Sequence, residues 1–383
     1  MYRIGQPEID AVAAVINSKR FFKTDTDLKM VYRVEEQLKS ITGAEYSILM
    51  TSGTAALISA LIGLGIGPGD EVIVPAYTYI ASAMAVLAVG AIPVMAEIDE
   101  SCTVDPEDVE RKITPQTRAV MPVHIQGFPC NMDAICAIAK KHGLKVVEDA
   151  CQADGGSYRG RRLATIGDAG AFSFNYYKIV SAGEGGALIT NDRQIYERAL
   201  IYHDASAITY FGDQMKDFSE QVFVGTEYRA NEMTAAIMTA QLDRLEGILS
   251  DLRRNKKIIL DTVGDKYRAI PSNDIEGDCG TTAAFIFDTE EQAKAFEDSV
   301  KWSWRPINTG KHVYTNWTFI GEGRRGAVNP AMDPFLMPQN AGLRHNYTLD
   351  MCPRTLDILS RTVYIGINPD MDEAEVEKFA KSL

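Results

Sequence analysis

Between about residues 45 and 190 the chain repeats one pattern: a short apolar run, a glycine or proline, then a segment with helical spacing. The runs 46–50, Glu71-Val72-Ile73-Val74-Pro75, Ala119-Val120-Met121-Pro122-Val123-His124, Lys145-Val146-Val147-Glu148-Asp149 and Ala187-Leu188-Ile189-Thr190 read as strands. Their apolar positions are mostly consecutive rather than alternating, the mark of strands buried on both faces. Residues 132–141, with Ala134, Ile135 and Ile138 on one face, read as an intervening helix. Strands alternating with helices predict an α/β domain with a mostly parallel sheet covered by helices. In such sheets ligands bind at the carboxyl ends of the strands. The polar residues just after each run are therefore the first place to look for chemistry.

After Glu227 the pattern changes. Residues 231–254 read as one long helix, with Met233, Ile237, Ala240, Leu242, Leu245 and Leu249 as its apolar positions. Beyond it short strands (283–287, 362–367) alternate with helices (290–300, 372–382). A chain of 383 residues exceeds what one small core needs, and two domains are expected: 1–250 as the large domain and 251–383 as a smaller C-terminal α/β domain. Residues 301–350 are rich in Trp, Asn, Gly, Arg and Pro with little periodicity, as binding loops often are.

Composition narrows the function. With 46% hydrophobic and 24% charged residues this is an ordinary globular chain. A net charge of −13 argues against a nucleic-acid partner, since no surplus of basic residues is present to neutralise phosphates. The six cysteines are scattered without a CxxC pair, which suits a reducing cytoplasm and argues against a metal site; His124 and Cys130 come nearest to one. The amino terminus lacks the features of a signal peptide, and no apolar run is long enough to span a membrane. A cytoplasmic location is expected.

Two segments carry the chemistry. Asp149 closes an apolar run, within Glu148-Asp149-Ala150-Cys151-Gln152-Ala153. Lys178 follows Phe172-Ser173-Phe174-Asn175-Tyr176-Tyr177 and precedes Gly183-Glu184-Gly185-Gly186. A lysine that holds a cofactor covalently and a carboxylate that keeps its ring nitrogen protonated are what pyridoxal 5'-phosphate requires. Asp149 can equally be a helix cap or loop carboxylate, and Lys178 an ordinary surface lysine. The apolar and aromatic neighbours of Lys178 (Tyr176, Tyr177, Ile179, Val180) favour a partly desolvated, nucleophilic amine. Thr51-Ser52-Gly53-Thr54 opens an Ala/Leu-rich helix, whose free N–H groups suit a phosphate; a simple cap by Ser52 or Thr54 is the plainer reading, and both can hold. Ser173 adds a hydroxyl, and Tyr79 is placed either to stack on a ring or to pack in the core.

The ordered set Ser52-Gly53-Thr54-Ala55-Ala56-Leu57, Gly67-Pro68-Gly69-Asp70-Glu71, Glu148-Asp149-Ala150-Cys151-Gln152-Ala153, Gly167-Asp168, Phe172-Ser173-Phe174, Lys178 and Gly183-Glu184-Gly185-Gly186 resembles the DegT/DnrJ/EryC1/StrS family of pyridoxal-phosphate sugar aminotransferases. The resemblance implies the aspartate-aminotransferase fold (fold type I). It also implies Lys178 as the covalent anchor, Asp149 at the pyridine nitrogen, Gly53, Thr54 and Ser173 at the phosphate, Tyr79 on the ring and Gln152 near the phenolic oxygen. A homodimer with shared sites is implied too, and the apolar, aromatic segment 218–229 is a candidate to pack against the partner. One departure stands out: the family's Gly-x-Asn-aromatic-Arg is here Gly225-Thr226-Glu227-Tyr228-Arg229. Glu227 suits a phosphate poorly, leaving Arg229 as a substitute contact.

The implied reaction moves an amino group from glutamate or glutamine to a keto-sugar. Segments 311–317, 351–354 and 360–362 resemble the branch that makes 8-amino-3,8-dideoxy-manno-octulosonate, a free sugar acid; a keto-cyclitol or nucleotide-linked keto-sugar is the alternative. His312, Asn316 and Arg344 are candidates to meet an anionic sugar, or are plain loop surface. A dehydratase of the same fold would resemble this chain with His in place of Lys178, and a non-catalytic regulator would tolerate its loss.

Overall fold

A computed structural model describes residues 3–205, 218–320 and 325–383. Met1 and Tyr2 of the amino-terminal reading, and residues 321–324 of the irregular stretch, lie outside the described residues.

Twelve strands are formed by the described residues: β1 Tyr46–Met50, β2 Glu71–Pro75, β3 Ile92–Ala96, β4 Thr117–Val120, β5 Lys145–Asp149, β6 Ser157–Tyr158, β7 Arg161–Arg162, β8 Ala169–Ser173, β9 Gly186–Thr190, β10 Thr282–Ile286, β11 Ser303–Trp304 and β12 Thr362–Gly366. Seven of them make one sheet in the order β1-β9-β8-β5-β4-β2-β3. The pairs β2–β3, β2–β4, β4–β5 and β5–β8 are parallel, while β9 runs antiparallel to both β8 and β1. Strands β2, β3, β8 and β9 are buried at every position. Helices cover both faces, which is why these runs show no polar alternation.

This topology decides where the chemistry sits. Six strands point the same way, so β1, β2, β5 and β8 deliver the segments after them to one edge. The return from β8 into antiparallel β9 makes residues 174–185 a loop between two paired strands, with Ser173 opposite Gly186 at its base. Lys178 lies in that loop. Strand β4 is shorter than its apolar run suggests, because Pro122 cannot donate to the ladder. Pairing resumes beyond it, where Asp149 N–H donates to Pro122 O (2.9 Å) and His124 N–H to Asp149 O (3.0 Å).

The long helix expected at 231–254 is two helices, Glu232–Leu242 and Leu245–Val263, broken at Asp243-Arg244. Arg244 forms an ion pair with the buried Glu8, and Gln241 donates to the same carboxylate (2.8 Å). Together they fasten the amino-terminal helix Gln6–Ser18 onto Glu232–Leu242. The anticipated boundary at residue 250 falls inside the second helix, which packs against the C-terminal helix Glu373–Ala380. Strands β10, β12 and β11 form a separate antiparallel sheet, with helices Glu290–Ser299 and Pro353–Arg361 against it.

Candidate active site

A cavity of about 710 Å³ opens at the carboxyl edge of the large sheet and extends to the small one. Ser52, Gly53 and Thr54 line it from the start of helix Gly53–Gly63, and Tyr79 and Ser82 from the segment after β2. Asp149, Gln152, Ser173 and Lys178 line it too. Of the eight residues singled out in the sequence, seven thus meet in one space; Arg229 is not among its lining residues.

Close packing explains the glycines. Ser52 is the helix cap, its hydroxyl accepting from Ala55 N–H (3.1 Å). The first-turn N–H groups of Gly53 and Thr54 have no carbonyl to pair with, which leaves them for an anion. A Cβ on Gly53 would lie 2.7 Å from Cys151 Sγ and 2.8 Å from Ser173 Cβ. One on Gly186 would lie 2.3 Å from the Ser52 carbonyl carbon. The glycine motif after Lys178 therefore lets β9 slide beneath the helix start. The lysine loop is held by its own backbone: Phe174 N–H to Gly185 O (2.9 Å), Tyr176 N–H to Gly183 O (3.0 Å) and Lys178 N–H to Asn175 O (3.0 Å).

Tyr176 and Tyr177 do not shield the lysine as anticipated. They are 55% and 85% exposed and stacked edge-on against each other (5.3 Å), with Tyr177 at the cavity wall rather than packed over the amine. Lys178 itself is half-buried, between the buried Ile179 and Val180 on one side and the cavity on the other. Tyr79 is also half-exposed and pairs with the His312 ring at 5.3 Å, so it is not a core residue.

Asp149 is 5% exposed and doubly held. Ser82 Oγ donates to its Oδ2 (2.6 Å) and Cys151 N–H to its Oδ1 (3.1 Å). Sequence reasoning missed Ser82, although Thr78 and Ser82, four apart at a strand-to-helix turn, share a 2.7 Å hydrogen bond. On the other face of β5, Glu148 is fully buried. It accepts from the N–H groups of Ile166 (2.6 Å), Gly167 (2.7 Å) and Ala164 (3.0 Å) and faces His124 Nε2 (3.1 Å). Cys130 N–H donates to the other ring nitrogen, Nδ1 (3.1 Å), so the proton of the ring lies on Nε2 and is given to Glu148. Burial, with Asp149 beside it, pushes the Cys151 thiol upward, so this cysteine is a neutral packing group. Burial also pushes the carboxyl of Asp154, just past Gln152, well above the usual range, partly offset by Lys178; neither of its oxygens has a hydrogen-bond partner among the described residues.

Of the three candidates for an anionic sugar only His312 lines the cavity. Burial lowers its ring below the usual range, with Lys178 adding to the effect, so it is a neutral group at pH 7. Asn316 donates to Gly310 O (2.9 Å) within its own loop. Arg344 grips Glu71 (2.6 Å) at the amino end of β2, the opposite edge of the sheet, because that buried carboxylate requires a cation. Arg229 is held between the buried Asp204 and Glu227 (2.5 Å), with its guanidinium over Phe22.

The donor set fits pyridoxal 5'-phosphate: unpaired N–H groups and hydroxyls for its phosphate, a buried carboxylate for its ring nitrogen and a lysine for its aldehyde. A mostly parallel sheet with one reversed strand, carrying this set on its carboxyl edge, defines the fold-type-I pyridoxal-phosphate class. Residues 3–301 match the DegT/DnrJ/EryC1/StrS aminotransferase family, and the chain belongs to it. It is 41% identical over 238 residues to the dTDP-3-amino-3,4,6-trideoxy-alpha-D-glucose transaminase of Streptomyces venezuelae, covering 62% of this chain and 60% of that one. It is 39% identical over 230 residues to the GDP-perosamine synthase of Caulobacter vibrioides, covering 59% and 60%. These matches span about three fifths of each relative's length. The crystal structure of 3-amino-5-hydroxybenzoic acid (AHBA) synthase superposes with a TM-score of 0.79 at 26% identity, covering 100% of this chain and 96% of that one. Among the described residues no helix is long and apolar enough to cross a membrane.

Proposed function

We propose that the protein is a pyridoxal-phosphate-dependent aminotransferase acting on the keto group of a sugar or cyclitol. The observation that carries this is the convergence of Lys178, Asp149 and the Gly53–Thr54 helix start on one cavity. Bound there, the cofactor supplies an electron sink for charge left on a carbon that loses its proton. Asp149, fixed by Ser82 and Cys151, holds the ring nitrogen's proton. Lys178 would anchor the cofactor at rest and, with its amine free, would take a proton from the donor's carbon and later deliver one to the acceptor's. Gly53, Thr54 and Ser173 hold the phosphate, and Gln152 holds the phenolic oxygen. Glutamate or glutamine is the proposed donor.

For the acceptor, the cavity wall beyond the catalytic pair offers Gln126, Thr281, Thr282, Trp304 and His312, with Glu184 as a further carboxylate. Hydroxyl, amide and aromatic groups suit a polyhydroxylated ring or chain. The resemblance of segments 311–317, 351–354 and 360–362 supports a free eight-carbon keto-sugar acid as the finer reading. The S. venezuelae and C. vibrioides relatives, by their names, support a nucleotide-linked keto-sugar as the second. The test loads the protein with pyridoxamine phosphate and offers an 8-keto octulosonate, scyllo-inosose and a dTDP-linked 4-keto-6-deoxyhexose. Amination of one names the class, and amination of none sinks the proposal.

A homodimer with shared sites is proposed with it, in a cytoplasmic setting. Its support within the chain is the exposure of Val222 (53%) and Val224 (88%), although Phe218 packs inward against Tyr196.

A further inference from the structure

We propose that Gln126 is a specificity-determining residue whose side-chain amide donates a hydrogen bond to a hydroxyl oxygen of the keto substrate. This rests on the function proposed above and names one contact that would select the acceptor.

Gln126 lines the cavity from the short turn Ile125–Gly127, in a left-handed conformation (φ 52°, ψ 23°) that a residue with a Cβ adopts rarely. Three of its groups are committed to holding it there. Its N–H donates to Gln152 Oε1 (3.0 Å), its carbonyl accepts from Thr281 Oγ1, and its side-chain Oε1 accepts from Thr282 Oγ1 (3.2 Å). The neighbouring Gly127 carbonyl accepts from Cys279 N–H (3.1 Å). The turn is thus clamped between the loop after β5 and the entry to β10, bridging the two sheets. What remains is the Nε2 group, with two hydrogens and no partner among the described residues, on a side chain only partly buried because it faces the cavity.

A glycine at 126 would adopt this backbone without strain. A side chain kept there despite the strain points to a use for the side chain, as left-handed residues in cavity walls commonly do. The surroundings say what the use is. Trp304 offers an aromatic face, Thr281 a hydroxyl and His312 a neutral ring, and Glu184, the acid on the wall besides Asp149, also suits hydroxyl donors, so the amide faces a site fitted to a polyhydroxylated substrate. Through its N–H, Gln126 also orients Gln152, which places the substrate contact one hydrogen bond from the proposed cofactor contact.

Two variants separate the side chain from the backbone. Gln126→Glu keeps the shape and the bond to Thr282 but loses the donor; Gln126→Gly removes the side chain and relieves the strain. With whichever of an 8-keto octulosonate, scyllo-inosose and a dTDP-linked 4-keto-6-deoxyhexose the parent aminates, kcat/KM for that ketone should fall about tenfold or more in both. The single-turnover rate with the amino donor should stay within about twofold. Gln126→Gly should unfold at the parent's temperature or above it. An unchanged kcat/KM, an equal loss in both half-reactions, or a lower unfolding temperature for Gln126→Gly would each overturn the assignment while leaving the proposed function intact. A parent that aminates none of the three ketones would overturn both.

Discussion

Ser82 Oγ sits 2.6 Å from Asp149 Oδ2, joining the first turn of helix Ala81–Ala88 to the end of β5. The bond ties the proposed catalytic carboxylate to the segment after β2 that also carries Tyr79. Since Cys151 N–H holds the other oxygen, Asp149 is oriented from two elements before any ligand arrives. Ser82→Ala should slow the single-turnover reaction with glutamate about tenfold, the worth of one hydrogen bond to a charged group. Ser82→Thr should recover most of it. A rate unchanged in Ser82→Ala would show that the backbone bond alone suffices.

Lys178→Ala should reduce transamination at least a hundredfold, because anchor and proton carrier are lost together. The backbone bonds that hold its loop do not involve the side chain, so thermal unfolding should match the parent. Turnover within tenfold of the parent would remove Lys178 from the mechanism.

Asp149→Asn should retain cofactor, since the phosphate contacts at Gly53, Thr54 and Ser173 are untouched. Its donor half-reaction should nevertheless be crippled, as an amide cannot hold the ring nitrogen protonated. Equal single-turnover rates in variant and parent would make Asp149 structural.

Arg229 needs two measurements. If it reaches the partner subunit's phosphate, Arg229→Ala should weaken cofactor retention and Glu227→Asn should strengthen it by removing a like charge. The pairing with buried Asp204 adds a second effect: Arg229→Ala strands that carboxylate and should cost roughly 3 kcal/mol of stability. Glu227 is half-exposed, so Glu227→Asn should leave the unfolding temperature almost unchanged and read the phosphate contact alone. Light scattering that shows a fully active monomer would end the shared-site proposal.

Much of this site was legible along the chain because its constraints are local. Buried parallel strands need consecutive apolar residues, so β2 and β5 were visible as runs. The close approach of β9 to the helix start demands glycine, so Gly53 and Gly186 stood out as motif positions. An acid after one run and a lysine after another needed only the strands' common direction to become a pair.

What the tertiary structure decided are the contacts whose partners lie far apart in sequence. Ser82 and Asp149 are 67 residues apart, and Gln126 and Thr282 are 156 apart, so no spacing announces either bond. At the break Asp243-Arg244, Arg244 pairs with Glu8, more than two hundred residues away. Tyr176 and Tyr177 look apolar in sequence yet stay exposed, Tyr177 at the cavity wall, because the backbone bonds of their loop, not their hydrophobicity, fix its direction. Arg344 reads as a candidate ligand for an anionic sugar until the buried carboxylate of Glu71 claims it at the far edge of the sheet. Local pattern sets which elements form and which end of each strand carries chemistry; only the folded chain sets which side chain a buried charge or an unpaired amide will find.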